Sequence, residues 1–136
     1  MIERARPALA SFGERCEAVA GDFFHSVPAG HDAYVLSHIV HDWDEDHAVT
    51  ILRNCRDAMG DGSRLLLVES VVPPGDAPHP AKILDMVMLA FTEGMERSEE
   101  QYAELVARAG LRLARVIPTA SPVSVIEAFA AGEHRV

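Results

Sequence analysis

Residues 32–46 read Asp-Ala-Tyr-Val-Leu-Ser-His-Ile-Val-His-Asp-Trp-Asp-Glu-Asp. Ala33 to Leu36 is a short apolar run that breaks into a polar cluster at Ser37, His38, His41 and Asp42. Such a run, bounded by polar residues, reads as a buried strand of a parallel sheet. The cluster then falls at the strand's C-terminal end, the edge where open α/β sheets bind their ligands. That makes 32–46 the candidate active-site segment, and the rest of the chain is read around it.

Immediately downstream, Asp44 is a good helix N-cap. Ala48, Ile51, Leu52 and Cys55 then recur at helical spacing as far as Met59 and Gly60. The acidic run Asp44-Glu45-Asp46 suits a solvated helix start, where carboxylates meet the positive end of the helix dipole. Asp61-Gly62 is a turn, and Leu65 to Val68 predicts a second buried strand that ends on Glu69. Pro73, Pro74, Pro78 and Pro80 mark 72–80 as a loop. Ala81 to Phe91 follows as a helix with Ile83, Met86, Val87 and Ala90 on one face, apolar enough to be mostly buried or to line a pocket. Ser98 caps a further helix over 99–109, stopped by Gly110. Leu111 to Val116 and Ser124 to Phe129 form two strands joined too closely for a parallel crossover, so they pair antiparallel. Upstream, Ile2 to Phe12 is helical with Pro7 as a kink or a late start, Cys16 to Val19 is a short strand, and 26–30 is a loop. Alternating β and α elements predict a parallel sheet with helices on its faces and an antiparallel hairpin at one edge.

The 136 residues suit one domain, and 49% hydrophobic content suffices for a packed core. Twelve basic against 21 acidic residues leave a net charge of −9, which argues against nucleic-acid and anionic-membrane partners. No apolar run approaches the ~20 residues of a membrane span. The first residues lack a signal peptide's apolar core, and Cys16 and Cys55 stand apart without metal-type spacing. Free thiols in a reducing cytoplasm are the expectation.

Five motifs carry a family resemblance. Gly-Asp-Phe-Phe at 21–24, His-Asp-Trp at 41–43, Ile-Leu-Arg-Asn-Cys at 51–55, Leu-Leu-Val-Glu at 66–69 and Glu-Arg at 96–97 stand in order at the spacing of one group. The chain resembles the C-terminal part of the catalytic domain of class I S-adenosylmethionine-dependent O-methyltransferases. These are the plant caffeate, hydroxyindole and bacterial natural-product enzymes. The resemblance implies a partial methyltransferase domain over 1–136, with an incomplete Rossmann-like sheet made of the third to seventh strands. The first two strands, with their Gly-rich turn, and the N-terminal dimerisation domain would lie outside these residues. In the family's sheet the two absent strands lie between the third and fourth, so the Ala33–Leu36 strand is expected to have an open apolar edge. A second copy or a complementing chain covering it is the implied partner.

Roles are implied residue by residue. His41 resembles the general base that takes the acceptor's hydroxyl proton, and Glu69 and Glu96 the carboxylates that flank it. Gly21, Asp22 and Phe23 fall at the adenosine contacts, Ser37 where the strand nears the cofactor, and Trp43 beside the adenine. Met88, Phe91 and Thr92 match the region lining the acceptor pocket. The implied cofactor is S-adenosyl-L-methionine, the acceptor a small, aromatic hydroxyl compound, and no metal is needed. A base with a pKa near 7 suits such chemistry and is worth ~10²–10⁴-fold.

Without the resemblance, blander readings stand beside these. Glu96-Arg97 reads as a surface ion pair worth ~0–1 kcal/mol. His38 and His41, three apart across a strand end, need not face one site. Two rival functions also remain: a non-catalytic remnant or interaction module pairing through its open sheet edge, and a methyltransferase-like hydroxylase or decarboxylase.

Overall fold

A computed structural model describes residues 2–91 and 94–132, with the backbone alone for residues 2, 3, 84, 89 and 91. Its regular elements are α1 (Ile2–Ala10), β1 (Ala33–Ser37), α2 (Glu45–Ala58), β2 (Arg64–Ser70), α3 (Pro80–Phe91), α4 (Glu99–Arg108), β3 (Leu111–Pro118) and β4 (Val123–Ala130). Single 3₁₀ turns at Gly13–Arg15 and Val40–Asp42 complete it.

The strands form one mixed sheet of four in the order β1-β2-β4-β3. β1 runs parallel to β2, with Val35 opposite Leu66, and the connection is α2. β4 lies antiparallel to β2 on one side and to β3 on the other, so the expected closing hairpin forms. The core sits on one face of this sheet. Tyr34, Leu65, Leu67, Ile126 and Ala128 point into a cluster with Ala48, Leu52 and Cys55 of α2 and Tyr102, Leu105 and Val106 of α4. The Tyr34 hydroxyl donates to the Ala58 carbonyl at 2.8 Å and so ties β1 to the end of α2.

Three expectations change. Cys16 to Val19 is not a strand: the segment runs irregular and exposed after the Gly13–Arg15 turn. Strand geometry needs a neighbouring ladder or a buried face to hold it, and here Val19 is itself exposed. β1 is parallel but buried on one face only, with Val35 59% exposed on the other. The apolar face of α3 is likewise uncovered: Ile83 and Met86 are 68% and 73% exposed, and Val87 and Ala90 are exposed too. Helical spacing marks which residues share a face, but not whether anything packs upon it.

Helix ends follow local chemistry. Asp44 Oδ1 accepts from the His47 amide at 2.9 Å at the start of α2. Ser98 and Gln101 form a reciprocal capping box at the start of α4. Cys55 is a free, buried thiol whose pKa burial pushes up to about 11, while Cys16 is free and exposed. No described helix is long and apolar enough to cross a membrane.

The capping box gives a direct check. Ser98→Ala should cost about 1 kcal/mol of stability in urea denaturation, the usual loss of a side-chain N-cap.

Candidate active site

β1 and β2 run parallel, so their C-terminal ends, Ser37 and Ser70, lie on the same edge of the sheet. Beyond β1 the chain turns sharply. His38 takes a left-handed backbone conformation, φ +54°, which costs a non-glycine residue ~1–3 kcal/mol. Its amide still reaches the Val68 carbonyl at 3.1 Å. The next residues wind into the Val40–Asp42 turn, and this turn carries His41.

Glu69, next to last in β2, is fully buried, at 0% exposure. A buried carboxylate must be satisfied. Oε1 accepts from the amides of Ile39 at 3.1 Å and Val40 at 2.8 Å. Oε2 lies 2.6 Å from His41 Nδ1. A carboxylate only accepts, so it keeps the Nδ1 proton in place and leaves the Nε2 lone pair free in the neutral ring. Nε2 faces Asp42 Oδ1 at 3.3 Å. Burial alone would lower the His41 pKa. The Glu69 hydrogen bond and the charges of Glu69, Asp42 and Glu96 outweigh that and hold it above its ordinary value.

Glu96 reaches the same place from the segment after α3. Its amide donates to Asp85 Oδ1 at 3.0 Å. Burial, with the Glu69 and Asp85 charges, raises its pKa against the pull of His41 and Arg97. Its buried Oε2 has no hydrogen-bond partner among the described residues. Gly94, two residues earlier, lies hard against the His41 turn: a Cβ there would stand 1.8 Å from the His41 carbonyl oxygen. Only glycine permits that approach.

A cleft of about 430 Å³ opens over this group, lined by His38, His41, Ser70, Met88, Glu96 and the Ser121-Pro122-Val123 stretch that leads into β4. The expected catalytic residues His41, Glu69 and Glu96 are therefore together, with Met88 beside them. Thr92 lies outside the described residues, and of Phe91 only the backbone is described, at the end of α3. His38 faces the same cleft after all, its ring centroid 5.7 Å from that of His41. Donor atoms of His38, His41 and Glu69 lie within 4.8 Å of one another. It is the one such metal-type group among the described residues, and here Glu69 Oε2 is hydrogen-bonded to His41. Nor are Glu96 and Arg97 a surface ion pair: both are buried, and Arg97 makes no salt bridge among the described residues. Sequence reasoning gave no site role to Ser70, Arg97 and the hairpin residues, and placed Asp42 in the polar cluster without a role of its own. For Arg97, its place beside Glu96 in a matched motif was the available signal.

Of the expected cofactor residues, Phe23 and Trp43 stand together on the α2 side. Phe23 and Trp43 rings stand 6.3 Å apart, and Phe24 lies 4.7 Å from Trp43. Asn54 of α2 donates to the Phe23 carbonyl at 2.8 Å and fastens this loop. Asp22 is exposed, accepting from the Phe24 amide at 2.9 Å and lying 3.0 Å from His25 Nδ1. Nothing crowds Gly21, and Ser37 is exposed at the end of β1. An acid, two aromatic rings and open backbone fit the hydroxyls and ring of a nucleoside.

The family model for an O-methyltransferase domain matches residues 1–112. The chain belongs to this O-methyltransferase family. It is 47% identical over 123 residues to the phenazine O-methyltransferase of Lysobacter antibioticus, covering 90% of this chain and 36% of that protein. It is 41% identical over 116 residues to the 8-amino-8-demethylriboflavin N,N-dimethyltransferase of Streptomyces davaonensis, covering 84% and 33%. Among solved structures, the fold superposes with a TM-score of 0.84 on a neocarzinostatin-biosynthesis O-methyltransferase, at 38% identity over 95% of this chain and 39% of that one. That protein was crystallised with S-adenosyl-L-homocysteine and 1,4-dihydroxy-2-naphthoic acid. The chain thus spans about a third to two fifths of the length of these family members.

The raised pKa of His41 has a measurable consequence. Folded His41 keeps its proton to higher pH than the unfolded ring, so its stabilisation is fully present below about pH 6.5 and is lost as pH rises through the folded value. His41→Asn keeps a donor for Glu69 and does not titrate. The stability of wild type relative to this variant should therefore be highest near pH 6 and fall towards about pH 9, read by urea denaturation across that range.

Proposed function

We propose that this chain forms part of the catalytic domain of an S-adenosylmethionine-dependent O-methyltransferase acting on a hydroxyl of a small aromatic molecule, with His41 as general base. The observation that carries the reading is the 2.6 Å contact of a fully buried Glu69 carboxylate with His41, whose ring lines the cleft.

The acceptor hydroxyl lies in the cleft against His41 Nε2 and gives up its proton there. Glu69 holds the ring's tautomer and direction and stabilises the imidazolium that forms. The new Nε2 proton then faces Asp42 Oδ1. A second carboxylate, Glu96, favours the same cation from the cleft wall. Met88, Pro122 and Val123 supply apolar contacts for a flat ring, and the family resemblance alone assigns Phe91 and Thr92 to the acceptor. When bound, S-adenosylmethionine supplies the electrophilic methyl group. Gly21, Asp22, Phe23, Ser37 and Trp43 would hold its nucleoside end.

In this reading β1, β2, β4 and β3 are the fourth, fifth, seventh and sixth strands of the family's sheet, and the first strands and dimerisation domain belong to a longer chain. The free outer edge of β1 and the bare face of α3 support a second copy or a complementing segment as partner. The relatives include both O- and N-methyltransferases, and a phenol is favoured here because its acidity matches a single imidazole base.

Two measurements test this. His41→Ala and His41→Asn should each lower methyl transfer to hydroxylated aromatics by about 10²–10⁴-fold, followed with labelled cofactor. Retention of most turnover, or turnover of aromatic amines alone, would sink the assignment. Calorimetry of S-adenosylhomocysteine with these 136 residues should show weak binding or none, because no strand here is followed by the family's Gly-rich turn. Affinity in the low micromolar range would mean that this chain is sufficient for the cofactor.

A further inference from the structure

We infer that Arg97 is a positioning residue for His41, acting by bracing the turn that carries it. Its side chain is 1% exposed. Burying a guanidinium is costly, and here no carboxylate among the described residues ion-pairs with it. What it holds instead is backbone. Nη1 donates to the Val40 carbonyl at 3.2 Å and the Met95 carbonyl at 3.3 Å, and Nη2 donates to the Trp43 carbonyl at 3.1 Å. Val40 and Trp43 flank His41-Asp42 on either side, so one planar group spans the turn from entry to exit.

Arg97 itself is held in register with the sheet. It bridges to Val71, just past β2, and the Val72 amide donates to its carbonyl at 2.9 Å. The turn is thus gripped from two directions. Glu69 takes its amides, at Ile39 and Val40, and Arg97 takes its carbonyls, at Val40 and Trp43. Gly94, from the same segment as Arg97, fills the remaining space against the His41 carbonyl. The His41 ring is held by the Glu69 hydrogen bond and faces Asp42, itself a residue of the turn, so its position depends on the backbone that these contacts fix. A rigid fork with two separated donors is what this span requires, and the single ammonium of lysine does not reproduce it.

The inference rests on the reading of His41 as the base, but it is tested without turnover. The experiment is nitrogen-resolved NMR of this chain, following the His41 ring shifts, its Nδ1 proton and its titration midpoint. Arg97→Lys should lose the slowly exchanging Nδ1 proton and shift the midpoint, although the charge is kept. Val106→Ala, a core truncation in α4 that removes none of the turn's hydrogen bonds, should lose stability and leave both unchanged. Within an active enzyme, Arg97→Lys should lower kcat by about tenfold to a hundredfold with little change in KM, the size of effect expected from a misplaced catalytic group. Should Arg97→Lys fail to fold, the wild type decides alone: its Arg97 Nη protons should be resolved and slow to rotate. Freely rotating Nη groups would overturn the proposal, as would an unchanged His41 midpoint in Arg97→Lys or an equal shift in Val106→Ala. Loss of turnover in His41 variants is a separate outcome and does not bear on these readings.

Discussion

A single buried carboxylate organises this end of the molecule. Glu69 is delivered by the last residues of a strand whose alternate members, Leu65 and Leu67, are locked in the core. Its position is therefore set by the sheet. Its charge cannot be left bare there, so whatever packs over it must bring hydrogen-bond donors. The chain leaving β1 supplies three: two backbone amides and an imidazole. The left-handed conformation at His38 and the short 3₁₀ turn are the local distortions that aim those donors at one residue. In the proposed reading, proton transfer and folding thus share the same contact.

The site is also assembled from segments far apart in the chain. The end of β1, the end of β2, the stretch after α3 and the entry to β4 each contribute to the cleft. This is what a sheet with β1 and β2 parallel achieves, because their C-terminal ends open onto one edge. The opposite pattern holds for the apolar surface. The core faces α2 and α4, whereas Val35 on β1 and Ile83 and Met86 on α3 stay bare. For a chain matching little more than a third of its relatives' length, such surface is where further protein belongs in the proposed reading.

Much of this was legible in the sequence, for reasons that differ by element. The helix at 45–58 announced itself through its cap and its spaced apolar residues, and the helix at 99–108 through Ser98 and Gln101, because both signals are local. The hairpin followed from the length of its connection. Cys16 to Val19 misled because a short apolar stretch has the composition of a strand, while a strand exists only beside another. The face of α3 misled for a related reason: amphipathic spacing says which residues want burial, and the partner that grants it is a tertiary matter. Arg97 beside Glu96 looked like a surface charge, since nothing in a linear string shows that its fork reaches carbonyl groups more than fifty residues away.

By itself, the sequence determined the kinds of group available and their order: His41 after an apolar strand, Glu69 at the end of another, glycine at 94 and an acid at 96. It also determined the family, through motifs whose spacing is linear. Tertiary structure alone decided that these groups meet, that the His41 ring presents Nδ1 to Glu69 and Nε2 towards Asp42, and that Arg97 serves the turn. The physical reason is range. Propensity, capping and periodicity act within a few residues, whereas a hydrogen bond of 2.6 Å between residues 28 apart exists only after the sheet has brought two strand ends together.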